Sequence, residues 1–305
     1  MINTIENRLT RLRKSLFEKK VDTFMVLVEE NRRYLSGFTG EDTAFDESAG
    51  ALFITGTKLV LATDSRYELQ VKQEAPDYEL ICYKKGLVNE LSNILNTLKT
   101  KKLGFESKRL SHMQYNKITG QLLSDGLQVR LVETEDIVES LRIKKEEGEI
   151  KDIKKALSIA ESAFRNFIAN NIMPGITEKG AAWEMEKGMR ETGADSISFP
   201  IIVASGPNSA LPHAIPGNRK INKGGPILFD WGARINGYCS DISRTVVTGK
   251  PDETFLKVYE TVLNAQNMAI DAIRPGISSR AVDKIARDYI EKMGFKCKFG
   301  HGLGH

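Results

Sequence analysis

Cysteine, histidine and tryptophan are scarce: three, four and two in a chain of 305 residues. Cys82, Cys239 and Cys297 form no CxxC pair and are odd in number, which argues against a disulfide framework. They are expected as buried, reduced thiols. Long apolar runs are also missing; none approaches the about 18 residues of a membrane span. Met1 to Lys20 has no apolar centre of the kind a signal peptide carries. Nor does one sign of charge dominate, since 44 basic and 40 acidic side chains leave a net +4. With no basic stripe interleaved with aromatics, nucleic acid is not an expected partner, and neither is a membrane. The pairs Lys19-Lys20, Lys84-Lys85 and Lys101-Lys102 read as solvated faces or turns. A cytoplasmic protein is the expectation.

What is present is material for two domains: 41% apolar and 28% charged residues over a length that favours more than one core. Ile5, Leu9, Leu12 and Leu16 recur at helical spacing and predict an opening amphipathic helix. Short β-rich runs follow at 22–28, 48–55, 58–63, 78–83 and 127–133, with helical patterns between them, which predicts a compact α/β domain over 1–135. After the charged segment 142–149, Ile150, Ile153, Leu157, Ala160, Phe164 and Phe167 keep a 3/4 rhythm and predict a long helix. The second domain is placed at 136–305.

That second domain repeats itself. Pro174-Gly175-Ile176-Thr177 precedes a helical stretch that stops near Gly193, and Pro275-Gly276-Ile277-Ser278 precedes one that stops near Gly294. Proline–glycine break, N-capping Thr or Ser, helix and glycine stop recur at equal spacing. Two helix–helix–strand halves are the simplest reading.

Between the repeats, 227–235 and 238–247 are apolar runs joined by Asn236-Gly237, the strongest short hairpin signal. A two-residue turn pairs Ile235 with Tyr238 and, continued, sets Asp241 opposite Gly232. Asp230, two residues earlier, then points to the same face as Asp241. Their β-carbons fall within about 7–8 Å of each other, room for two metal ions roughly 3.5–4 Å apart. The glycine opposite Asp241 is expected to leave space for such ions. Ordinary strand aspartates are the alternative, but aspartate is depleted in strands and no Lys or Arg is placed to neutralise both.

Three of the four histidines fall in this domain: His213, His301 and His305. The last two lie in the glycine-rich stretch 299–305, where small residues permit close approach of a ligand. Imidazole and carboxylate together suit manganese, cobalt, iron or zinc. His213 is flanked by Pro212 and Pro216, whose restricted backbones suit a side chain held for substrate contact or proton transfer.

Taken in order, 174–178, 198–206, 211–216, 230–233, 240–245 and the terminal His-Gly-Leu-Gly-His resemble the pita-bread metallopeptidases, and within them the Xaa-Pro group of aminopeptidase P and proline dipeptidase. Asn31 to Gly40 and Thr63-Asp64-Ser65-Arg66-Tyr67 extend the resemblance into the first domain, so it spans nearly the whole chain. It implies an α/β N-terminal domain of the creatinase type and an α+β pita-bread catalytic domain. It also implies two divalent metal ions (manganese foremost, with cobalt, zinc or iron as alternatives), small proline-containing peptides as substrates, and a homodimer. By position, Asp230 resembles the aspartate on one metal, Asp241 the bridging aspartate and His305 the histidine on the other ion. His213 resembles the histidine that binds substrate and stabilises the tetrahedral intermediate. His301 is not a ligand by this resemblance.

Two departures accompany it. Gly224-Gly225 stands where Gly-Asp is usual, with no expected effect on metal binding. The family's two glutamate ligands and a further histidine lie past the position of His305. The catalytic domain is therefore expected to be incomplete at its C-terminal end, holding metal weakly and cleaving Xaa-Pro bonds negligibly. Three alternatives stay open at this point: a methionine aminopeptidase, a creatinase-like metal-free hydrolase, and a pita-bread binding module without catalysis.

Overall fold

A computed structural model describes residues 4–44, 47–170 and 175–304. The chain divides into two compact units, 1–146 and 147–305.

The first unit runs α1 (Thr4–Glu18), β1 (Thr23–Val26), α2 (Glu29–Ser36), β2 (Ala51–Thr55), β3 (Leu59–Thr63), α3 (Glu68–Glu74), β4 (Glu79–Cys82), α4 (Leu87–Thr97), β5 (Lys102–Glu106), α5 (His112–Ser124), β6 (Arg130–Thr134) and α6 (Ile137–Arg142). Its six strands order as β4-β3-β2-β1-β5-β6. Alternation along β1 divides the core: Phe24 and Val26 join Leu9, Leu12 and Leu16 of α1, while Met25 joins Leu91, Ile94 and Leu95 of α4 on the other face. Helices thus cover both faces of the sheet. The unit ends later than 135 because Ile137, Val138 and Leu141 of α6 pack into the α1 core.

Arg32, fully buried, donates to the Leu27 carbonyl at 2.6 Å, the Gly40 carbonyl at 3.0 Å and Asp42 Oδ1 at 2.7 Å. Glu106 accepts the Leu27 and Val28 amides at 2.6 and 2.7 Å and the Asn31 amide nitrogen at 2.7 Å. These two buried charges fix the start of α2 and the loop after it. Burial pushes the Glu106 carboxyl above its ordinary value, partly offset by those three donors.

The second unit contains α7 (Glu147–Asn170), α8 (Glu178–Glu191), β7 (Ser196–Ile197), β8 (Ile202–Ser205), a 3₁₀ turn (Gly206–Ala210), β9 (Pro226–Trp231), β10 (Ala233–Ile235), β11 (Tyr238–Cys239), β12 (Ile242–Val247), α9 (Glu253–Ala272) and α10 (Ser279–Lys292). Two three-stranded sheets form, β12-β9-β8 and β11-β10-β7. The repeat is visible as matched local geometry. Thr177 caps α8 by accepting the Gly180 amide, and Ser278 caps α10 by accepting the Ala281 amide. Gly175 and Gly276 before the caps, and Gly193 and Gly294 after the helices, all have positive φ. Pro174 lies outside the described residues.

Helix α7 forms as the 3/4 rhythm predicts and buries Ala156, Ile159, Ala160, Ala163 and Phe167, with Ile150 and Leu157 exposed. One expectation is corrected. All three cysteines are free but exposed, not buried. Cys82 and Cys239 end strands at sheet edges and Cys297 sits at φ 60° after α10. Among the described residues no helix is long and apolar enough to cross a membrane.

Candidate metallopeptidase site

The hairpin forms as its turn requires. Asn236 and Gly237 have φ of 48° and 79°, the two positive values of a turn that matches strand twist. Ile235 pairs with Tyr238 and Arg234 with Cys239. The same register continues beyond a break, with Trp231 paired to Ile242 and Asp230 to Ser243. Counted across the break, this register sets Asp241 opposite Gly232 and so diagonal to Asp230, with Asp241 itself lying between the two ladders.

At the break stands Gly232, but not to leave room for ions. A β-carbon there would lie 1.8 Å from the Ser240 carbonyl oxygen and 2.7 Å from Ser198 Oγ. Backbone fills that space, and the Ser198 Oγ lies 2.8 Å from both the Ala233 and Ser240 carbonyl oxygens, its one O–H shared between them. The crossing divides one long hairpin into two sheets immediately beside Asp241.

Alternation along β9 buries Ile227, Phe229 and Trp231 and leaves Leu228 and Asp230 on the opposite, half-exposed face. The buried side is aromatic. Trp231 stacks on Phe164 at 4.3 Å and donates to the Ala160 carbonyl at 2.9 Å, which fixes β9 against α7. On the Asp230 side, Leu228 and Ser243 border an apolar cavity of about 880 Å³, whose other walls include Phe255, Val262 and Ala286 of α9 and α10.

His213 is exposed on the loop between the 3₁₀ turn and residue 220. Its ring centroid lies 6.3 Å from that of His301. His301 Nδ1 sits 3.0 Å from the Gly302 carbonyl, so that nitrogen is the one that donates. Arg287 of α10 holds this glycine-rich segment by donating to the Phe299 carbonyl at 2.7 Å and the His301 carbonyl at 2.6 Å. Asp283, one turn earlier, accepts the Leu303 amide at 3.1 Å, and the Arg287 guanidinium holds its carboxyl below the usual range. His305 lies outside the described residues. Among the described residues no group of three or more His, Cys, Asp or Glu side chains comes together as a metal site. The structure thus pairs Asp230 with Ser243, leaves Asp241 diagonal to Asp230 by the same count, and brings the His213 and His301 rings together.

No motif in the sequence assigns a role to Glu178, which is only the last residue of the stretch 174–178, ahead of a predicted helix. In the structure it is 1% exposed and accepts four donors from the segment that leads into and out of the His213 loop. Nothing in its sequence surroundings sets it apart from a solvated first-turn glutamate.

Comparison with known proteins agrees with this architecture. Residues 151–305 match metallopeptidase family M24 and residues 8–144 match the creatinase/prolidase N-terminal domain. An uncharacterized peptidase of Bacillus subtilis is 36% identical, the match covering 98% of this chain and 81% of that protein. The Xaa-Pro dipeptidase of Pyrococcus furiosus is 31% identical, covering 99% and 82%. Among solved structures, an Xaa-Pro dipeptidase from Bacillus anthracis superposes with TM-score 0.89 at 35% identity, over 99% of this chain and 81% of that one. An X-Pro aminopeptidase from Thermotoga maritima gives 0.87 at 34%, over 97% and 81%. The chain belongs to metallopeptidase family M24, in the two-domain form that carries a creatinase/prolidase N-terminal domain.

Proposed function

We propose that this protein hydrolyses the Xaa-Pro bond of dipeptides or at the N-terminus of short peptides, with two divalent metal ions and manganese foremost among them. The reading rests on one observation: the two ladders of the hairpin share one register on either side of the break, which counts Asp230 and Asp241 as diagonal neighbours, in a chain matching family M24. Paired carboxylates with a histidine form a donor set suited to such ions. When bound, the ions supply Lewis acidity and a nucleophilic water at neutral pH.

The protein's own residues divide the remaining work. Asp230 and Asp241 supply the negative charge that retains the cations, with His305 as a third donor. His213, exposed and carried by a loop, donates a ring N–H to the substrate carbonyl as negative charge develops on it. The relatives' names include both dipeptidase and aminopeptidase, so dipeptides and longer peptides both belong to the substrate class. A homodimer in the cytoplasm completes the reading.

The test adds manganese and follows hydrolysis of Ala-Pro and Ala-Pro-Ala by the 305-residue chain and by a form extended to the relatives' full length. Turnover in the extended form that is lost in D230N, and that falls by about 10²–10³ in H213A, supports the reading. An extended form with bound metal and no turnover sinks it.

A further inference from the structure

Glu178 opens α8, and its buried carboxylate is shared between the two ends of one loop. At the leading end, Oε1 accepts the Ser205 amide at 2.7 Å, the Ser205 hydroxyl at 2.9 Å and the Asn208 side-chain amide at 3.1 Å. At the trailing end, Oε2 accepts the Gly217 amide at 3.2 Å while remaining 3.2 Å from the same Asn208 nitrogen. Backbone bonds close the trailing end further, since the Glu178 amide donates to the Arg219 carbonyl and the Lys179 amide to the Gly217 carbonyl, each at 3.0 Å.

His213 lies midway between these two anchors. Within the span the loop has few ties of its own. The Leu211 amide donates to the Asn208 carbonyl, the Ala214 amide donates to the Leu211 carbonyl, and only Ala214 tucks inward. Leu211, His213 and Ile215 all face solvent. A loop of this kind is positioned by its ends, and one carboxylate holds both.

The charge suits the task. Burial works against the anion, but the donors from Ser205, Gly217 and Asn208 more than offset it and hold the Glu178 carboxyl below its ordinary range. Its place in the first turn of α8 adds the favourable end of the helix dipole. An ionised carboxylate accepts on every side, whereas a carboxamide of the same shape turns one acceptor into a donor.

We propose that Glu178 is a positioning residue that sets the loop bearing His213. It touches no reacting atom; it acts by fixing where the His213 ring can stand. The proposal deepens the peptidase reading and rests on it only for the role of His213, not for the existence of the clamp.

The test uses E178Q and the milder N208A, each in the 305-residue protein, with amide hydrogen exchange and the ring-nitrogen NMR signals of His213. Loss of one charge-assisted bond is expected to speed exchange within 206–219 by about tenfold or more. The His213 ring signals should shift, while amides of α7 and the first unit keep their protection. Parent-like exchange and ring signals in both variants overturn the proposal. Equal acceleration throughout 147–304 in both also overturns it, because the carboxylate then supports the whole unit and not this loop. Where a form of the protein turns over Xaa-Pro peptides, E178Q and H213A should combine to less than the product of their separate losses in kcat/KM. Fully multiplicative losses would remove the link to His213. Absence of turnover in every form counts against the peptidase reading and leaves the exchange result to judge the clamp.

Discussion

The carbonyl oxygen of Ser240 occupies the position that a β-carbon on Gly232 would need, 1.8 Å away. Glycine is required there by close approach of backbone to backbone, and relief would have to come from moving one strand of the hairpin. Gly232→Ala is therefore expected to cost about 3 kcal/mol, read from urea unfolding. Gly120, inside α5 with open space around it, makes the contrast. Gly120→Ala is expected to stabilise by about 0.5–1 kcal/mol. Similar midpoints for the two variants would contradict the crossing at Gly232.

The diagonal of Asp230 and Asp241 predicts metal dependence on each carboxylate separately. Manganese affinity, measured by calorimetry or electron paramagnetic resonance, should weaken by about tenfold or more in D230N and again in D241N. Unchanged affinity in either variant would remove that residue from the ligand set.

Arg32 has no exposed surface and satisfies Leu27, Gly40, Asp42 and Ser48 at once. Removing its charge leaves the Asp42 carboxylate with Arg109 as its remaining cation, at 3.3 Å. Arg32→Met is expected to destabilise the first unit by about 3–5 kcal/mol in chemical unfolding. A loss below about 1 kcal/mol, the range of surface ion pairs, would show that the network is solvated.

Two buried glutamates predict pH slopes of opposite sign. The Glu178 carboxyl is held below its ordinary value of 4.5, so its stabilisation is present above that value and is lost as pH falls through the folded one. The Glu106 carboxyl is raised above 4.5, so its contribution is present below 4.5 and is lost as pH rises through its folded value. Thermal midpoints between about pH 2 and pH 7 should fall less steeply toward acid in E178Q than in the parent. In E106Q they should fall more steeply toward acid, because a group that favours folding at low pH is gone. Parallel profiles for all three proteins would contradict both assignments.

Much of the architecture can be read from local pattern. The spacing of Leu9, Leu12 and Leu16, the Asn236-Gly237 turn, and the paired Thr177 and Ser278 caps each act within a few residues, and each appears as expected. Strand β5 was not visible in this way. Lys102-Leu103-Gly104-Phe105-Glu106 is short, and its central glycine breaks the apolar run. That glycine is there for packing, since a β-carbon would meet Val21 at 2.8 Å. The cysteines differ for a related reason: their residue type favours burial, but the ends of edge strands expose Cys82 and Cys239, and the turn after α10 exposes Cys297.

By itself the sequence determined the two-domain plan, the hairpin register and the diagonal of Asp230 and Asp241. A turn type and a two-residue period propagate along a ladder with no knowledge of what surrounds it. Tertiary structure alone decided that backbone fills the space beside Gly232, that α7 buries the Ala156–Phe167 side, and that Glu178 joins both ends of the His213 loop. Those features depend on segments distant in sequence meeting in space, and two of the four donors to the Glu178 carboxylate are backbone amides, which every residue but proline carries.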